Sequence, residues 1–199
     1  MVYVGFGGEN GNTLVASGIT IGGVALTKAR DGNTGVTGSR QYSSFWYILE
    51  ASLPANGAQS VVITLTGSTE STSRLFATVG QVQGIAQTTP VQTDYDFALA
   101  VTTVSNQYTA LTSTQWAFSA GSAGADMTFT HSNSQVEISD QFSGGAAAYL
   151  CQLRGGAGQT SLSVTSSISA NRLDRVTAVW NEASGGAVVP NSMFFGMNF

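Results

Sequence analysis

The residues that could do chemistry in this chain are few and widely separated. There is one histidine, His131, and one cysteine, Cys151. A serine hydrolase needs an imidazole to take the hydroxyl proton, but His131 closes an alternating strand pattern and no Gly-x-Ser-x-Gly turn accompanies it. One histidine and one cysteine are not a zinc ligand set. Cys151 stands in the apolar run Ala148-Tyr149-Leu150-Cys151, which reads as a core thiol rather than a nucleophile. The carboxylates left for acid–base work are Glu50, Asp94, Asp96, Glu137 and Asp140, and glycoside hydrolysis would need two of them facing each other across a cleft. The spacing of Glu137 and Asp140 predicts opposite faces of a strand. Asp94 and Asp96 fall on one side, where with backbone carbonyls they could hold Ca²⁺; two solvated loop acids are the simpler reading, and no other cofactor is expected. Sugar binding would use rings stacked on pyranose faces. Trp46, Trp116 and Trp180 sit inside apolar or alternating runs and read as core, so Tyr42, Tyr95 and Tyr108, expected outside strand centres, are the candidates for glycan contact.

The elements that must position these residues are strands. Residues 44–84 organise the reading: the apolar run Phe45-Trp46-Tyr47-Ile48-Leu49, a break at Pro54-Ala55-Asn56-Gly57, the β-branched run Val61-Val62-Ile63-Thr64-Leu65, a polar link, and residues 75–82. The same order returns about a hundred residues later, with Ala148 to Leu153, a turn at Gly155-Gly156-Ala157-Gly158, then Leu162-Ser163-Val164 and Arg175 to Trp180. The spacing therefore predicts one all-β domain over residues 1–199, built as two pseudo-repeated halves, about 1–91 and 92–187. Ile19-Thr20-Ile21 and Val24-Ala25-Leu26 flank Gly22-Gly23, a two-residue hairpin signal. Residues 28–38 read as a charged surface loop, and Pro90 marks the crossing between halves. Residues 188–199 carry Met193, Phe195, Met197 and Phe199 at strand spacing, which fits either a closing strand or a docking arm into a neighbouring subunit. No segment has sustained helical periodicity.

Composition narrows the partners. At 199 residues the chain is long enough to bury a core without disulfides. Only 9% of residues are charged, against about 25% in an average soluble domain, so the outward slots go to Gly, Ser, Thr, Ala, Asn and Gln. With 42% hydrophobic and 10% aromatic residues, the chain is not disordered in composition. A net charge of −4, with Lys and Arg scattered, argues against nucleic acid as a partner. No apolar run is long enough to insert in a membrane as a helix. Met1-Val2-Tyr3-Val4 enters a strand directly, with no signal-peptide pattern, which together with the neutral, hydroxylated surface suggests release by lysis.

Several stretches resemble a jelly-roll or concanavalin-like β-sandwich module that recurs in tailed-phage virion proteins and in bacterial surface proteins. They are Ile19 through Thr27, Phe45-Trp46-Tyr47, the Pro54 to Gly57 turn, Ser60 through Gly67, and Val82 through Val91; residues 1–91 match well and the remainder in outline. The resemblance implies a two-sheet antiparallel sandwich of jelly-roll type with little or no helix. It also implies a non-enzymatic structural protein of a bacteriophage-like virion: a head decoration, fibre or tail-associated module. Homo-oligomers, other virion structural proteins and a host cell-surface glycan are the expected partners. The alternative is a carbohydrate-binding, lectin-like module of an extracellular or cell-surface protein.

Overall fold

The computed structural model describes residues 1–10, 14–33, 40–67 and 74–184, together with the backbone of 195–197. Among the described residues the regular structure is β apart from a single 3-10 turn at Glu50–Ser52. The strands, in chain order, are β1 (Val2–Asn10), β2 (Val15–Ile21), β3 (Val24–Ala25), β4 (Thr27–Asn33), β5 (Arg40–Ile48), β6 (Val61–Thr66) and β7 (Arg74–Gln81). They continue with β8 (Gln92–Gln107), β9 (Gln115–Ala123), β10 (Phe129–His131), β11 (Val136–Ser143), β12 (Ala146–Arg154), β13 (Ser161–Asn181) and β14 (Phe195–Met197). All pairings are antiparallel.

Two sheets face each other. The first has the order β14-β7-β1-β5-β4. In the second, residues 170–179 of β13 pair with β8 and residues 173–181 with β9, which continues into β12 and β11. Strand side chains alternate between faces, so Tyr3, Phe45 and Tyr47 from one sheet meet Phe118, Leu150, Val176 and Trp180 from the other. The rings interlock at the seam: Tyr3 to Phe118 is 4.9 Å between centroids and Tyr47 to Trp180 is 5.0 Å, edge to face. Each fully buried ring of this kind contributes about 1.5–3 kcal/mol.

The two halves repeat one plan. In each, a central strand (β1 or β9) lies between a following strand (β5 or β12) and a later one (β7 or β13), and an edge strand (β4 or β11) flanks the former. The trailing strands are exchanged: β8, which follows the first half, extends the second sheet beside β13, while β14, which follows the second half, extends the first sheet beside β7. The crossing is made by residues 82–91 and is fastened by Val91 N–H to Val179 O at 2.7 Å.

Each sheet also has an outer cover. Over the first lies β3-β2-β6, whose Ala16, Ile19 and Ile21 pack on Val4, Phe6, Trp46 and Ile48. The β2–β3 turn is made by Gly22 (φ 56°) and Gly23 (φ 82°), the two successive left-handed residues that a tight hairpin of this type requires. Over the second sheet lie β10 and the folded-back ends of β8 and β13. The ribbon of β8 and β13 breaks register between Thr165 and Ala170, with Ala100 at φ 54° on the opposite strand. Beyond the break, residues 103–107 of β8 return over residues 92–96 of the same strand. This return is held by side chains: Gln92 accepts the N–H of Thr109 at 2.9 Å, Asp94 that of Gln107 at 2.8 Å, and Asp96 that of Ser105 at 2.9 Å.

One expectation is overturned here. Residues 28–33 of the expected charged loop (28–38) belong to the edge strand β4, and 34–38 lie outside the described residues. Its polarity misled because an edge strand with one solvated side needs no apolar alternation.

Candidate functional site

The tyrosines proposed for glycan contact are structural. Tyr42 lies within β5, is 3% exposed, and donates its hydroxyl to Ala16 O at 3.4 Å; burial pushes its pKa up to about 12. Tyr95, in β8, lies flat on the backbone of Gly32 in β4, where an added Cβ would strike the ring. Its hydroxyl is buried near Asp174, and burial first, then that charge, raises its pKa. Tyr108 packs on Leu111, Leu153 and Leu162, with its hydroxyl buried beside Arg175 and Thr177. None of the three presents an open ring face for stacking.

The acids are rearranged as well. Asp94 and Asp96 share one side of β8, as their spacing predicts, but each gives a carboxylate oxygen to a backbone N–H of the returning strand. They clamp a fold, and among the described residues no group of three or more His, Cys, Asp or Glu side chains is arranged to hold a metal ion. Glu137 and Asp140 do not occupy opposite faces. A bulge at Ile138 shifts the register of β11 on β12 and turns both carboxylates to the same side. Burial, then the neighbouring Asp140, raises the pKa of Glu137; burial raises that of Asp140 against the pull of its bond from Phe129 N–H at 3.1 Å. His131 Nε2 lies 3.5 Å from Glu137 Oε2. Burial, with Arg175 nearby, lowers the His131 pKa to about 4, so at neutral pH the imidazole is uncharged and forms no ion pair.

Two charged residues that motif reasoning passed over are the most deeply buried. Asp174 and Arg175 are adjacent in β13 and point to opposite faces, each with 0% exposure. Asp174 enters the seam, where its Oδ1 accepts from Ser43 Oγ (2.7 Å), Ser122 N–H (2.7 Å) and Ser122 Oγ (2.9 Å). Burial outweighs these bonds and raises its pKa to about 7. Arg175 enters the outer layer and donates to Ser119 Oγ at 2.8 Å, to Gln135 Oε1 and to Thr177 Oγ1. Thr177 in turn donates to Asn106 Oδ1 at 2.6 Å. Each of these three partners of the guanidinium is neutral. Cys151 lies in the same layer, fully buried, and burial lifts its thiol to about 11, far from thiolate chemistry at neutral pH. The available signal was a charged pair, Asp174-Arg175, inside a run from Leu173 to Trp180 whose only other polar residue is Thr177.

The terminal strand is reached at Phe195–Met197, whose backbone pairs with Val79, Thr78 and Ala77 of β7 in the same chain. Met193 and Phe199 lie outside the described residues. A cleft of about 370 Å³ opens beside Met1, Glu50, Leu53, Val82 and Gln87, with no ring among its lining residues.

What faces outward is the margin of the sandwich. Phe97 (41% exposed) and Leu99 (48%) stand on β8, the strand that faces β4 across the seam, while Val136 (59%) and Phe142 (57%) stand on β11 at the opposite margin. Comparison with family models, curated proteins and solved structures finds no match to this chain. The site is therefore described by its chemistry alone: polar clusters turned inward, and lateral edges that carry exposed apolar side chains.

Proposed function

We propose that this chain is a non-enzymatic structural protein of a bacteriophage-like virion, present in several copies and held to its neighbours by its lateral edges. One observation carries the reading. The titratable clusters are occupied in holding the fold, whereas four of the large apolar side chains left exposed stand on the two margins. Exposed apolar groups at strand edges mark surfaces that other chains cover. The neutral, hydroxyl-rich composition and the resemblance of residues 1–91 to virion sandwich modules support the particle setting. The lectin alternative loses its candidate rings, since Tyr42, Tyr95 and Tyr108 are packed into the structure.

Immunogold labelling of particles from lysed cells, with antibody raised against this chain, tests the setting. Labels at repeated positions on the particle are expected. Label confined to the cell envelope, or release of reducing ends from a polysaccharide by the purified chain, would overturn it.

A further inference from the structure

We infer that copies of this chain associate head to tail, the β4–β8 margin of one seated against the β11 margin of the next. This rests on the multi-copy reading above and specifies its contact.

The two edge strands are equivalent in the fold and opposite in net charge; the acids of the neighbouring β8, Asp94 and Asp96, are turned onto its own returned end. Each ends its sheet in a strand with no further described partner, β4 on the first and β11 on the second. Each edge strand carries a bulge, at Ala29 in β4 and at Ile138 in β11, and both bulged residues pack toward the seam. The bulge at Ala29 leaves Lys28 and Arg30 exposed on either side of it. The other turns Glu137 and Asp140 to one side, with the Glu137 side chain 44% exposed. Lys28 is already paired with Asp31 at 2.5 Å, so Arg30 supplies the excess positive charge of β4, while β11 carries two carboxylates and no Lys or Arg. Phe97 and Leu99 flank the basic edge, and Val136 and Phe142 flank the acidic one.

Like margins do not suit each other. Two β11 edges would oppose their exposed Glu137 carboxylates, and two β4 edges their exposed Arg30 side chains; like-charge juxtaposition costs several kcal/mol. Unlike margins bring opposite charges together while covering apolar surface on both sides. The bulges interrupt a continuous backbone ladder, so side chains rather than strand addition make the contact, and runaway sheet extension is blocked. A contact between different surfaces of identical chains propagates into a ring or a filament.

The test uses the full chain by sedimentation velocity. The double variant Lys28→Glu/Arg30→Glu and the double variant Glu137→Lys/Asp140→Lys should each weaken self-association at least about tenfold, a loss of about 1.4 kcal/mol. An equimolar mixture of the two should restore mixed complexes. Because Asp140 also accepts a backbone N–H, a second experiment leaves it intact: Lys28→Cys in one preparation is mixed with Glu137→Cys in another and oxidised. A disulfide-linked heterodimer, absent from either variant alone, is expected, and the buried Cys151 gives no background. If the native chain oligomerises but neither charge reversal nor crosslinking registers this contact, the head-to-tail pairing is wrong and the multi-copy reading stands. If the native chain is a monomer at every concentration, both fall.

Discussion

Beneath β2 and β6, the outer face of the first sheet is sealed by Ile19, Ile21, Trp46 and Ile48, whereas beneath β10 and the returned end of β8 the matching face of the second encloses Arg175, Thr177, Ser119, Gln135 and Asn106. The topology is shared, but the second layer adds a buried polar network to apolar packing of the same kind, around Val104, Phe129, Tyr149 and Leu173. A cover layer in this fold can therefore be held by simple apolar burial, and the polar layer is a feature of the second half alone. Its cost is that every member must keep its partner, since a buried polar group left unpaired costs about 1–3 kcal/mol and a charged one more.

The sharpest way to break the comparison is at Arg175. Arg175→Ala leaves a cavity and strips donors from Ser119 and Gln135, so urea unfolding should show a loss of about 4 kcal/mol. Arg175→Met fills the volume and removes the charge, making this layer more like the first. It should recover about half of that loss. Equal losses in the two variants would mean that the guanidinium bonds, and not packing, hold the layer.

The second comparison is across pH. Asp174 is raised from 3.8 to about 7, so between those values the folded state holds a proton that the unfolded state has released; stability falls as pH rises through this window. His131 is lowered from 6.5 to about 4, so between those values the unfolded state holds the extra proton and stability rises with pH. At about 1.4 kcal/mol per pH unit, the two trends are each of order 3–4 kcal/mol and oppose each other. The native chain should thus show a shallow profile from pH 4 to 6.5. Asp174→Asn should expose stability that climbs with pH, and His131→Gln stability that declines. Glu137 and Asp140 shift in the same sense as Asp174 and add to the decline. Parallel profiles for the two variants would contradict the assignment.

The smallest effect lies at the seam shared by both halves. Gly5 in β1 faces Ala120 and Leu150, and an added Cβ would sit 3.1 Å from the Ala120 methyl and 2.9 Å from Leu150 Cδ1. Leu150 can adjust its rotamer, so Gly5→Ala should cost about 1 kcal/mol in thermal unfolding. A cost as large as that of Arg175→Ala would mean that the seam is rigid where side-chain ends should yield.

Much of the scaffold was legible because strand alternation and turn chemistry are local. Gly22-Gly23 announced its hairpin, and the runs at Phe45, Val61 and Ala148 announced their strands. The exchanged strands were not legible, since the choice of sheet for β8 is settled by which edge is open in three dimensions. Nor was the side shared by Glu137 and Asp140, because one bulged residue inverts the alternation from which faces are read. Tyr42 and Tyr95 misled for a related reason: their polar sequence neighbours lie on strands whose far side is packed, as Gly32 is under Tyr95, whereas Tyr108 does lie beyond the end of β8 but packs against the cluster of Leu111, Leu153 and Leu162. Asp174 and Arg175 were visible as charges in an apolar run, but their opposite destinations depend on layers contributed by both halves.

Sedimentation equilibrium of the full chain over a wide concentration range bears most directly on the idea that its margins are made to be covered. Mass should climb with concentration past the dimer, with no plateau at two copies, as a contact between unlike edges requires. A single monomeric mass throughout, with Phe97, Leu99, Val136 and Phe142 left in water, would contradict it.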